Sequence, residues 1–120
     1  MAFMTIEPMS VGHTLVVPKS HAERIYQVEP ATAGHLFSTV PALVKAVTET
    51  TKADGVNLVL ADGSAAGQTA FHTHLHIIPR YYNESYGIRF WPHYVPGQGR
   101  TQLNDTAAAI KGNLGYIQHA

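Results

Sequence analysis

The chain has 120 residues, 45% of them apolar, with eight acidic and eight basic side chains and no cysteine. This length suits one domain with a hydrophobic core. Balanced charge argues against a footprint for duplex nucleic acid, and the lack of cysteine excludes disulfides and thiolate metal sites. The longest apolar runs, such as Leu58-Val59-Leu60-Ala61, are too short to span a membrane. The N-terminus shows no secretory pattern, which points to the cytoplasm.

Residues 3–7 (FMTIE) alternate apolar and polar and predict a short strand. A turn follows, PMSVG at 8–12. Residues 13–18 (HTLVVP) predict a second strand buried on both faces, then a connecting loop at 19–23 and a short helical turn. Pro30 suits the first turn of a helix. Leu36, Val40, Leu43, Val44 and Val47 recur at helical spacing, with Lys45, Glu49 and Lys52 off that stripe. Pro41 lacks a backbone donor and predicts a break near Thr39 and Val40. Asp54-Gly55 is the expected stop. Residues 56–61 predict a third strand, and Asp62-Gly63 a turn.

The chemistry concentrates at residues 62–80, DGSAAGQTAFHTHLHIIPR. His72, His74 and His76 alternate within an apolar, β-branched setting that predicts a strand. Residues two apart on a strand share a face, roughly 7 Å apart. The three rings are therefore expected on one side, with Thr73, Leu75 and Ile77 on the other. The third strand and this one should form an antiparallel hairpin. Before the histidines, Ala65-Ala66-Gly67-Gln68 is a small-residue turn whose amides an anion can approach. Residues 81–99 read as irregular. Leu103, Ala107, Ile110 and Leu114 predict a C-terminal helix ending near Gly115. His21, His35, His93 and His119 stand apart and read as structural or incidental.

A neutral imidazole is both a nucleophile and a base. Attack on an α-phosphorus gives a covalent nucleotidyl-histidine, which water later releases. The reaction needs a second group against the phosphate oxygens and a third that sets the tautomer of the attacking ring. His74, flanked on both sides, is the natural nucleophile. Thr69, at the loop-to-strand corner, is placed to protonate a leaving group. Two rivals stand beside this reading. Alternate polar residues on a strand can simply face water, and three histidines can bind zinc with an open position.

HTHLHII within AGQTAFHTHLHIIPR, together with GHTLVVPKSH at residues 12–21, resembles the histidine triad (HIT) family of nucleotide hydrolases and transferases. The resemblance runs from about residue 2 to residue 80. It implies an α+β fold, with an antiparallel sheet, one main helix and a compatible C-terminal helix, in a single HIT domain over 1–120, usually paired as a homodimer. It implies chemistry at the α-phosphorus of a nucleotide, typically adenosine-containing, with no required cofactor; a divalent cation has a place only beside polyphosphate substrates. His74 would be the nucleophile, His76 would contact phosphate, and His72 would orient His74. His13 would support the nucleophile from the neighbouring strand. Gly67 and Gln68 would contact phosphate, and Thr69 stands where Hint-type members carry a serine. Residues 2–8 would line the nucleoside pocket through Thr5, Ile6 and Glu7, with Ile6 against the base, and Trp91 would approach a partner subunit's site.

The chain departs from the family pattern in three places. Thr5 replaces an acidic ribose ligand, and Ala61 replaces Asn or Gln, with Asp62 next along as a partial substitute. The family's usual opening helix and strands are missing, so the domain reads as N-terminally short. Hint-type members cleave nucleoside phosphoramidates and Fhit-type members cleave dinucleoside polyphosphates. The alternative function is a nucleotide-binding or scaffolding protein with little turnover.

Overall fold

The computed structural model describes residues 1–5, 8–84 and 99–114. Four antiparallel strands form one sheet: β1 (Ala2–Met4), β2 (Thr14–Val16), β3 (Gly55–Val59) and β4 (Leu75–Arg80), in the order β1-β2-β4-β3. Between β2 and β3 run helices α1 (Pro30–Ser38) and α2 (Val40–Thr51), and α3 (Arg100–Leu114) closes the described chain. The architecture is α+β, as expected. No helix among the described residues is long and apolar enough to cross a membrane.

The break between α1 and α2 falls at Thr39, two residues before Pro41. Proline cannot donate to the preceding turn, and the Thr39 hydroxyl donates to the Leu36 carbonyl at 2.7 Å instead. The predicted stop at Asp54-Gly55 is too late. Lys52 ends α2 in a left-handed conformation (φ 60°) and donates its N–H to the Thr48 carbonyl, while Gly55 already opens β3. A lysine there bears a small backbone strain that sequence rules assign to glycine.

Register explains how the sheet separates core from site. Val16 pairs with Leu75 and Thr14 with Ile77, while Leu15 pairs with His76 and Val59 with His76. Side chains alternate across a strand, so Val16, Leu75 and Ile77 share the face covered by the helices. They pack there with Leu36, Val40, Leu43, Val47 and Ile110. Each such aliphatic side chain contributes roughly 1.5–3 kcal/mol by leaving water. His76 is turned to the opposite face with Leu15 and Val59.

β1 ends at Met4, short of the predicted strand, and Ile6 and Glu7 lie outside the described residues. The turn before β2 depends on Gly12, whose φ is +92° and whose added Cβ would overlap the Thr51 methyl. Both conditions exclude a side chain there. Pro79 is tolerated in an inner strand because β2 pairs with β4 only as far as Ile77. Beyond that point the Ser10 hydroxyl donates to the Pro79 carbonyl at 2.8 Å.

Candidate active site

The histidine strand begins later than its alternation suggests. β4 starts at Leu75, so only His76 of the three histidines lies in the ladder. Residues 72–74 approach it as irregular chain. The rings accordingly do not form one row. His74 and His76 meet edge to face, with centroids 4.8 Å apart. The His72 ring instead turns to His21, with the two Nδ1 atoms 3.1 Å apart, and its Nε2 donates to the Pro18 carbonyl at 3.2 Å. His21, read from sequence as structural or incidental, therefore has a partner in the loop before β4.

His74 is 8% exposed, and its Nδ1 lies 2.7 Å from the His72 carbonyl. A carbonyl only accepts, so Nδ1 carries the proton and the neutral ring presents an unprotonated Nε2. The part of His72 that meets the His74 ring is thus its backbone carbonyl, while its imidazole turns to His21.

A second chain of bonds sets His76. The Met9 N–H donates to His13 Nδ1 at 3.0 Å. That acceptor role places the His13 proton on Nε2, which donates to His76 Nδ1 at 2.8 Å. The remaining proton of His76 is then on its Nε2, as a donor. His13 was expected to support His74 directly; its hydrogen bond goes to His76, because Leu15 and His76 are opposite in register and His13 lies two residues before Leu15.

His13 is 2% exposed. Burial, and then the adjacent His76 and His74 rings, push its pKa down to about 3. Burial, and then His74, bring His76 down to about 4. Both rings are neutral at physiological pH, which preserves the donor-acceptor chain. The unfolded chain, with a histidine pKa of 6.5, binds more protons than the folded one below that pH. Stability is therefore full above about pH 6.5 and falls progressively toward pH 3. His13 alone contributes on the order of 5 kcal/mol to this loss. Urea midpoints at pH 7, 5 and 4 are expected to fall in that order, and a flat series would contradict the buried neutral pair.

A pocket of about 490 Å3 opens beside His76, lined also by Met9, Val59, Ala61, Ile78 and the turn at 64–67. Its walls are mainly apolar, and Ala61 brings no hydrogen-bonding side chain to them. Thr5 is half-buried just after β1, and Thr69 is exposed on the loop. Ile6, Glu7 and Trp91 lie outside the described residues.

In the turn expected to meet phosphate, three amides bond locally: Ala66 N–H donates to Gly63, Gly67 N–H to Ser64, and Gln68 N–H to Gly63. The Gln68 side chain is turned inward, accepting from Gly63 N–H at 2.7 Å and donating to the Glu23 and Ala70 carbonyls at 2.6 and 3.0 Å. It braces the loop. Asp62, expected beside the nucleoside, receives Arg24 Nε and Nη2, each at 3.1 Å, and the Ile25 N–H at 2.8 Å. Arg24, and then the Ile25 amide, hold its carboxyl below the usual carboxylate range. Neither Arg24 nor Ala22 stood out in sequence, because the contacts that matter join segments far apart in the chain.

Among the described residues, no group of three or more histidine, aspartate or glutamate side chains is arranged to hold a metal ion. Comparison with known proteins places this geometry in context. The family model described as HIT domain matches residues 1–83. The chain belongs to the HIT domain family. "Protein hit" of Bacillus subtilis is 41% identical over 81 residues, covering 68% of this chain and 56% of that protein. This HIT chain thus spans little more than half the length of that relative. Adenosine 5'-monophosphoramidase hnt1 of Schizosaccharomyces pombe is 37% identical over 95 residues, covering 78% of this chain and 68% of its own. The crystal structure of a Hit-like protein from Bartonella henselae aligns with a TM-score of 0.81 at 32% identity, over 93% of this chain and 78% of the other. The HIT-like fold expected from the sequence is therefore observed.

Proposed function

We propose that the protein is a nucleotide hydrolase or transferase that acts at an α-phosphorus through a covalent nucleotidyl-His74. Its substrate is a nucleoside phosphoramidate or a dinucleoside polyphosphate, with adenosine as the expected nucleoside. The observation that carries this reading is the bond from His74 Nδ1 to the His72 carbonyl, which leaves the Nε2 lone pair for attack. Support comes from His76, whose Nε2 proton can bond a phosphate oxygen as charge develops there, and from the monophosphoramidase name of the Schizosaccharomyces relative.

In the first step the His74 Nε2 lone pair forms an N–P bond while the bond from phosphorus to the leaving group breaks. The leaving group takes a proton, with the Thr69 hydroxyl as its proposed donor. Water then cleaves the N–P bond, gives a proton back to Thr69, releases the nucleoside monophosphate and restores the neutral ring. A homodimer is the expected assembly, and half-exposed Leu58 on edge strand β3 offers it an apolar contact.

The test is to incubate the protein with adenosine phosphoramidate labelled at phosphorus, quench in base, and locate the label by peptide mass spectrometry. Label on His74 is expected. Turnover without label on His74, or turnover abolished by a chelator, contradicts the covalent route. Binding without turnover of either substrate class favours the binding-module alternative.

A further inference from the structure

We propose that residues 22–25 form a strap that positions the nucleophile, with Arg24 and Asp62 as its positioning residues. The functional side of this inference rests on the reading of His74 given above.

Each of these four consecutive residues bonds the long loop between β3 and β4. The Ala22 carbonyl receives the Thr73 N–H at 2.6 Å. The Glu23 carbonyl receives Gln68 Nε2 at 2.6 Å. The Arg24 guanidinium clamps Asp62 through two parallel bonds, and the Ile25 N–H donates to the same carboxylate. Arg24 also lies over Gly63, where an added Cβ would sit 3.1 Å from its Cζ, and 5.3 Å from the centre of the Tyr26 ring.

The bond from Ala22 is the one that reaches the chemistry. Thr73 N–H and His72 C=O belong to one peptide unit, which is planar and points the two groups in opposite directions. Ala22 holds the N–H end, and the C=O end accepts His74 Nδ1–H at 2.7 Å. Rotation of that plane is therefore rotation of the carbonyl that selects the His74 tautomer. Hydrogen bonds in series also polarise one another, so the Ala22 bond strengthens the carbonyl as an acceptor.

His13 and His76 are tied to the other end of the site. Their chain begins at the Met9 N–H and has no bond to residues 22–25. Loosening the strap should thus disturb His74 and spare His76. Asp62 and Arg24 suit this test because their side chains remain 28% and 40% exposed, so neither is a core element.

The experiment compares ring 1H–15N spectra of histidine-labelled wild type and Arg24→Ala. In the variant, the His74 Nδ1–H proton is expected to exchange with solvent about tenfold faster, while the His13 Nε2–H proton that bonds His76 keeps its exchange rate. kcat is expected to fall about tenfold with KM held within about twofold. Added guanidinium ion should restore both the signal and the rate. Arg24→Lys should remain impaired, because an ammonium cannot make the paired contact. If Arg24→Ala does not fold, Asp62→Asn is read in the same way. An unchanged His74 signal in either folded variant, or an equal change at the His13 Nε2–H proton, overturns the strap. The spectrum requires no substrate, so a wild type without turnover would sink the proposed function while the strap is still decided.

Discussion

His74→Ala is expected to abolish turnover, with a fall of about a millionfold in kcat, the scale seen when a nucleophile is removed and binding groups remain. The tautomer of His74 decides the size of the effect. His74 Nδ1 is occupied by the His72 carbonyl, so Nε2 is the nitrogen left for attack, and alanine offers no replacement. His74→Gln is the companion variant, since it fills more of the site and limits any loss of stability. Circular dichroism and a urea midpoint establish that each variant is folded, and release of amine from adenosine phosphoramidate gives the rate. A folded variant within about tenfold of wild type would remove His74 from the proposed covalent step.

His13→Ala is expected to lower kcat/KM by about 10- to 100-fold, the range for losing a partner that orients a working group. Its ring accepts from Met9 N–H and donates to His76 Nδ1. Without it, His76 is free to place its proton on either nitrogen, and only the Nε2–H form donates to phosphate. The substitution also removes the most strongly depressed histidine of the pair. The loss of stability on going from pH 7 to pH 4 should therefore be shallower than in wild type, even though a buried ring has been deleted. An unchanged kcat/KM would show that His76 keeps its tautomer unaided.

The elements that a reader of the sequence can place are those set by neighbours along the chain. The stripe from Leu36 to Val47 is buried as its helical spacing requires, and the break at Thr39 follows from Pro41. Leu103 and Ile110 mark the inner side of α3. Leu75 and Ile77 face the core while His76 faces away. Alternation failed at one point: it placed His72 and His74 on a strand whose ladder begins only at Leu75. A period-two pattern describes extended backbone, and residues 72–74 approach β4 without strand partners. The resemblance carried by HTHLHII named the family correctly; it said nothing of the internal bonds of Gln68, nor did the sequence reveal those of Asp62. The folded chain uses both inside the protein.

Alternation and helical spacing, read along the chain, determined where apolar faces form and that three imidazoles gather in one short segment. Both patterns depend on residues only a few positions apart. Which imidazole meets which, and on which nitrogen each proton sits, was decided only by tertiary contacts. His13 reaches His76 across β2 and β4, His21 reaches His72, and Ala22 reaches Thr73. A ring's tautomer is set by the donor or acceptor that happens to face it, and that neighbour arrives only when distant segments pack together.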